Sequence, residues 1–578
     1  MTRPFSRLAA SFLFVFCAIP AFPSGLAPDV VLQTMQQELK RATASLAKTD
    51  PAPYYLSYAV TDIDESLIIA SNGSIVLSTG VQRRQADVMM RVGSAALDNT
   101  HGNRSRGSGI TSGLLPLNSD SDAIARVLWQ LTDREYEQAS SSFLTVKTSK
   151  AVQSEEEDKS PDFSQESPQA HVGAAPKVAP WDQKQWEERA RRISAGFLKY
   201  PGVYGSSVSL QVSNDRSYLA TSDGGAVVRP GATSRLLVQG ETRADDGMEL
   251  MRVESFQAPA PDQLPSDSEL AAKVDKIAED LKALRAAPVA EPYAGPAMLS
   301  GRAAAVFFHE VLGHRLEGHR QKDETEGQTF TKKINQLVLP PFLSVIDDPT
   351  QKELNGVKLA GSYDFDDEGV PAVRVEAVEN GILKNFLMSR MPIKDFDHSN
   401  GHGRRQPGLM PTGRQGNLIV TSTNTVPDSE LRKKFIDEIK KQGKPYGLYF
   451  DDIQGGFTLT GRASPQAFQV LPVMVYRVYA DGRPDELVRG VDIVGTPLLS
   501  LNNIMVTGDT MQVFNGICGA ESGLIPVAAA APAMLFSEIE VQKRRRGTER
   551  PPILPPPSLD APPTASNSQP GTAAQRQP

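Results

Sequence analysis

Cysteine occurs at only two places in 578 residues, Cys17 and Cys518, and this limits how the chain can be held together. Cys17 lies in a stretch, Met1 to Ser24, that reads as a secretory signal peptide. Arg3 and Arg7 give a positive start, Leu8 to Ala21 an apolar core, and small or turn residues follow. The apolar run is too short, and too interrupted by Pro20 and Pro23, to span a bilayer. Phe14-Val15-Phe16 lacks the small residues expected before a lipidated cysteine. A periplasmic or secreted chain that loses residues 1–24 keeps one thiol, so no intrachain disulfide can form. A lone thiol in an oxidising compartment is buried and inert, intermolecular, or held as a metal ligand.

The remaining length suggests two or three domains, and 40% hydrophobic residues is ordinary for a globular protein. A net charge of −7 gives no electrostatic footprint for nucleic acid. No second apolar stretch is long enough for a membrane span. The predicted class is α+β, with an α+β N-terminal domain over 25–290 and a β-rich C-terminal domain over 291–545. Ala27 to Leu46 has helical periodicity stopped at Asp50-Pro51. Tyr54 to Thr61 and Ser66 to Leu77 alternate as strands, with a turn at Ser71-Asn72-Gly73. Residues 153–180 are poor in apolar side chains and carry Glu155-Glu156-Glu157-Asp158, which predicts a disordered insertion. Trp181 to Tyr200 is a second amphipathic helix whose tryptophans, Trp181 and Trp186, belong to the core. Strands follow from Gly205 to Val238, and Asp267 to Ala286 is a charged helix.

In the second half Gly301 to Gly318 is helical and short strands follow it. Glu379-Asn380-Gly381 and Asp481-Gly482 are hairpin punctuation. Phe468 to Tyr479 is one long β-run, and Leu524 to Val541 closes the domain. Residues 546–578 form a Pro-rich tail expected to be disordered.

Three of the seven histidines fall within the eleven residues His309 to His319, beside Glu310 and Glu317. His309 and His314 are five apart, which on a regular α-helix separates them by about 140°. Either a π-type widening brings them together, or Gly313 ends the helix and His314 points back from the turn. Cys518 supplies a third ligand of suitable softness, giving a His-His-Cys set with one position left for water. Glu310 can then take the proton as that water attacks a carbonyl. Glu317 is a candidate to orient a histidine, and His319 a candidate neighbour of the site. His402, Arg404 and Arg405, in a Gly- and Arg-rich stretch beside His398, are candidate substrate contacts.

The segment His309-Glu310-x-x-x-His314, followed by Leu316-Glu317-Gly318, resembles the signature of the TldD/PmbA metalloprotease family, also called the "modulator of DNA gyrase" family. The resemblance continues through Asp366-Asp367-Glu368-Gly369-Val370-Pro371, Glu379 to Lys384, Ser399 to Arg405, and Asn515-Gly516-Ile517-Cys518-Gly519 with Leu524 to Val527. It covers roughly Gly295 to Val541; before Ala286 only the general layout is similar. It implies Zn²⁺ held by His309, His314 and Cys518, with Glu310 catalytic, as in the TldD-like active branch. It also implies an unfolded or small peptide substrate and a homodimer or a heterodimer with a family member. His319 departs from the family, whose members usually carry an acidic residue there. The signal peptide and the 153–180 insertion are not typical of cytoplasmic members.

The expected function is therefore that of an exported zinc metallopeptidase. Two alternatives stand beside it. One is a metal-free cysteine hydrolase with Cys518 as nucleophile; the other is a non-enzymatic periplasmic partner protein with a structural metal, closed by His319 as fourth ligand. If Met1 to Ser24 is a signal peptide, N-terminal sequencing of protein from the native host should find a start between about Ala18 and Pro28. Soluble protein that retains Met1 would contradict export.

Overall fold

The computed structural model describes residues 29–102, 109–150, 157–176, 180–323, 325–327, 329–462 and 467–544. The signal peptide over 1–24 and the Pro-rich tail over 546–578 lie outside the described residues. The fold is α+β, built on two large sheets, the first strand of the second sheet beginning at Tyr293.

The first sheet has eight strands and is almost wholly antiparallel. Its frame is the hairpin Pro53–Ser71 and Ser74–Ser94, turned at Asn72 and Gly73, both at positive φ. Asn and Gly tolerate that backbone, and two such residues in succession suit the twist of a tight hairpin. Gly205–Thr221 and Ala226–Arg243 extend the sheet from the other side of Pro53–Ser71. Residues 56, 58, 60, 68 and 70 share one face of the first strand and are all buried. At one end of that face Val30–Leu46 and Ser121–Lys150 pack on Leu56, Tyr58 and Val60. At the other, Gln183–Ala195 and Asp267–Ala286 cover Ile68, Val208 and Leu210, with Trp186 in the same core. Asp267–Ala286 begins with a capping box between Ser266 and Glu269.

The disordered insertion expected over 153–180 is corrected for its described part. Asp162 and Phe163 are buried, and Ala170–Val172 adds a parallel strand to Ala226–Arg243. Few apolar residues suffice here because the segment is tied by polar bonds to other parts of the fold. Ser164 N donates to Arg390 O at 2.9 Å. Lys322 Nζ donates to Ser160 O at 2.6 Å, and the Arg390 guanidinium stacks 4.1 Å from the Phe163 ring.

The second sheet has eleven strands, five of which close into a ring. Tyr293–Leu299 pairs with Tyr446–Leu459 on one side and Gly523–Lys543 on the other. Ala467–Tyr479 and Val491–Gly495 complete the circuit. Helix Gly301–Val311 packs against strands of this sheet. Its Phe307 meets Phe468 at 5.5 Å and Phe536 at 5.4 Å, from two different strands. Residues Ala303 to Phe308 are buried in succession, and a helix apolar on all sides fits an enclosed position. Ser300 caps its N-terminus, accepting from Ala303 N and donating to Asp451 O.

Glu135, on helix Ser121–Lys150, is a fully buried carboxyl. It accepts from Thr111 Oγ1 at 2.7 Å, while Oε1 finds no partner among the described residues. Burial raises its pKa to about 7, opposed by the Thr111 bond and the Met90 backbone. The folded state then binds more protons than the unfolded one between roughly pH 4.5 and 7, so this residue costs stability as pH rises through that window. Glu135→Gln should raise stability by about 2–3 kcal/mol at pH 8, with the gain vanishing below about pH 4.5. Thermal melts at the two pH values check this; an equal change at both would contradict it.

Candidate metal centre

The site helix does not run to Gly318 as its periodicity suggests; it stops at Val311, and Gly313–Arg315 form a 3₁₀ turn. The physical reason lies in Arg315. Its Nη1 donates to Glu310 O at 3.2 Å and Val311 O at 3.1 Å, taking up carbonyls that end the helix, and to Thr458 Oγ1 at 2.6 Å. Gly313 permits the turn to press against the neighbouring loop, because a Cβ there would overlap the Gln415 side chain. Of the two ways to reconcile the five-residue spacing, the chain uses the ended helix. The His309 and His314 rings stand 5.0 Å apart.

Cys518 reaches these rings from strand Ile504–Ala520, at the register Cys518 to Ile525 of its hairpin. One ligand atom each from His309, His314 and Cys518 lies within 4.8 Å of the others, and all three residues are buried. Cys518 Sγ is 3.5 Å from His314 Nε2. Burial alone would push the Cys518 thiol up, but His309 and His314 hold it well below the ordinary thiol range. Burial disfavours both imidazolium forms in turn; Glu317 and Cys518 nevertheless carry His314 well upward, and Cys518 and Glu310 carry His309 upward. A thiolate gathered with two imidazoles is a donor set that fits zinc, which takes tetrahedral N and S ligands.

Glu317 fixes the orientation of His314. Its Oε1 accepts from Nδ1 at 3.1 Å, which leaves Nε2 facing the sulfur. This carboxylate is fully buried, yet its pKa is brought down to about 2. Burial pushes it up; His314, Arg320 and Arg414 more than offset that. Glu310 Oε2 sits 4.0 Å from His314 Nε2, too far for a hydrogen bond and beside the donor cluster. Gly456 makes room for it, since a Cβ there would come within 2.9 Å of Glu310 Cγ. The strand bearing Gly456 is irregular in register between Phe450 and Gly455, as strands beside functional sites often are.

The structure does not bring His319 to this group. Its Nε2 contacts Glu521 Oε1 in a second cluster with Glu317. Arg320 bonds both carboxylates of that cluster at 2.8 Å, so its negative charge is already met by a guanidinium. His402, Arg404 and Arg405, expected as substrate contacts, are each bonded within the fold. His402 is fully buried between Asp347 and Asn400. Arg404 donates to the carbonyls of Gln415 and Pro526, both at 2.8 Å. Arg405 pairs with Asp87 at 2.8 Å and donates to Leu409 O. These contacts tie all three side chains into the fold. His398 is exposed, 3.4 Å from Glu166.

Arg414, Arg320 and Glu521 were not singled out from sequence. The available signal was local: Gly413-Arg414-Gln415-Gly416 places a charged residue between glycines, where backbone packs closely. A Cβ at Gly413 would overlap Leu387 O. From this geometry His319→Ala should leave metal binding stoichiometric, whereas Ala at His309, His314 or Cys518 should each abolish it. Elemental analysis of the purified variants checks this; metal lost on His319→Ala and retained on Cys518→Ala would reverse the assignment.

Residues 293–543 match the family described as PmbA/TldA metallopeptidase C-terminal domain. The chain is 31% identical over 233 residues to a metalloprotease of Archaeoglobus fulgidus, covering 40% of this chain and 49% of that protein. It is 27% identical over 250 residues to a metalloprotease TldD homolog of Haemophilus influenzae, 43% and 48% of the two chains. The matched region thus spans about half the length of these curated relatives. In fold, the chain is similar to a Thermotoga maritima protein described as a modulator of a DNA gyrase. The TM-score is 0.58 at 16% identity, over 87% of this chain and 99% of that one. It is similar also to TldE of Thermococcus kodakarensis, with a TM-score of 0.56 at 12% identity, over 89% and 100%. Residues 293–543 are thus similar to the C-terminal domain of the TldD/PmbA metallopeptidases.

Proposed function

We propose that this protein is an exported, zinc-dependent metallopeptidase that hydrolyses unfolded or small peptides. The observation that carries the reading is the convergence of His309, His314 and Cys518 within 4.8 Å, with the Glu310 carboxylate beside them. When bound there, zinc supplies a Lewis acid that polarises a scissile carbonyl and lowers the pKa of water. Glu310, which makes no bond to the histidines, takes the proton from attacking water and returns it to the leaving amine. Glu317 keeps His314 in the tautomer that turns Nε2 toward Cys518. The strands packed on helix Gly301–Val311 hold these groups on rigid elements.

The metalloprotease names of the relatives support peptide hydrolysis, and the softness of the donor set supports zinc. The leader over 1–24 supports export. The pairing of His319 with Glu521 speaks against a closed four-ligand structural site.

Glu310→Gln is the decisive variant. Zinc content and fold should be retained, because the residue contributes no metal bond, while cleavage of an unfolded peptide should fall about 10²–10⁴-fold. Wild-type cleavage by this variant would refute water activation by Glu310 and favour Cys518 as nucleophile. Loss of zinc would make Glu310 a ligand instead.

A further inference from the structure

One buried cation touches the candidate ligands without having been assigned a role. Arg414 is fully buried. Its Nη2 donates to Cys518 Sγ at 3.3 Å and to Cys518 O at 3.0 Å. Its Nη1 donates to Ser522 Oγ at 2.8 Å and Gly523 O at 3.1 Å. Its Nε lies 3.4 Å from Glu317 Oε1, the oxygen that also accepts from His314. We propose that Arg414 is a positioning residue for the metal centre, which through its bond to the Cys518 sulfur sets the direction and donor strength of that ligand. The proposal rests on reading His309, His314 and Cys518 as metal ligands.

Three observations support it. The guanidinium is held before any ligand arrives. Arg414 N donates to His402 O at 2.9 Å, and Asp347 accepts from both Gly416 N and Asn417 N, so the backbone on both sides of the arginine is tied. The planar fork then spans two groups at once, the sulfur on one strand and the histidine's carboxylate partner after the helix, which an ammonium could not match in geometry. The sulfur bond is also charge-assisted, and an N–H donated to a thiolate withdraws electron density from it. A thiolate so bonded gives less charge to a cation and leaves that cation more electrophilic, which suits activation of a carbonyl. A purely charge-balancing role would need only the contact with Glu317.

The test uses the full chain loaded with Co²⁺, whose thiolate-to-cobalt charge-transfer band reports the sulfur's electron density directly. Cys518→Ser identifies the band by removing it. In Arg414→Gln and in Arg414→Lys, which keeps the positive charge, the band should move to lower energy. The cobalt dissociation constant should nevertheless rise about 10–100-fold, because loss of the fixed ligand direction outweighs the stronger donation. A folded variant, judged by circular dichroism, with band and affinity unchanged would overturn the proposal alone. Should neither arginine variant fold, Ser522→Ala, which frees one partner of the guanidinium, should shift the band in the same direction by less; an unmoved band overturns the proposal. A native protein without any thiolate band would overturn the ligand assignment and the proposal with it.

Discussion

The site depends on the ionised Glu317 carboxylate. Taking a carboxylate fully out of water costs several kcal/mol unless its oxygens are met by donors and opposite charge. Here His314, Arg320 and Arg414 meet them. These three residues lead to everything else: His314 to the ligand cluster, Arg320 to Glu521 and Glu326, and Arg414 to the Cys518 strand. Removing the carboxylate would take from the buried Arg414 guanidinium its neighbouring counter-charge, while Arg320 would keep Glu521 and Glu326. The histidine turn, the cysteine hairpin and the segment Thr412–Gly413 with its neighbours thus share one electrostatic centre.

The apolar part of the fold serves that centre. A helix whose residues Ala303 to Phe308 are buried in succession has to be covered, and strands of the second sheet supply the cover. The end of the helix is where chemistry is placed, because Arg315 collects the terminal carbonyls and Gly313 lets His314 turn back. The N-terminal layer contributes no residue to the donor cluster. It meets the second domain through polar contacts, among them Arg252 with Asp452 at 2.6 Å and Arg390 with Ser164 O at 3.0 Å.

Much of the secondary structure was legible because it follows local rules. The Asn72-Gly73 and Asn380-Gly381 turns demand positive φ, which all four residues adopt. Asp267–Ala286 has its capping box written in Ser266 and Glu269. Helix Ser121–Lys150 and the ordered part of the 153–180 region were not legible. The helix carries exposed Trp129 and Leu144, which blur its apolar stripe, and the insertion is held by polar bonds to residues more than 150 positions away. Composition predicts whether a segment can bury itself, and it carries no information on bonds supplied by a distant domain.

At the site, residue types were legible and roles only partly so. Two histidines, one thiol and a neighbouring glutamate drew attention through rarity and spacing. His402, Arg404 and Arg405 drew it through charge in a glycine-rich stretch, yet those glycines serve close packing. A Cβ at Gly401 would overlap Pro371 O, and one at Gly403 would overlap Glu368. Arg414 escaped notice because its importance lies in contacts 97 and 104 positions away in sequence.

The central claim is that His309, His314 and Cys518 jointly hold one metal ion. X-ray absorption at the zinc edge of the purified, zinc-replete protein tests this most directly. The account predicts one sulfur neighbour at about 2.3 Å and two imidazole nitrogens at about 2.0 Å, with one further light atom. A zinc shell without sulfur, or protein that binds no stoichiometric metal, would contradict it.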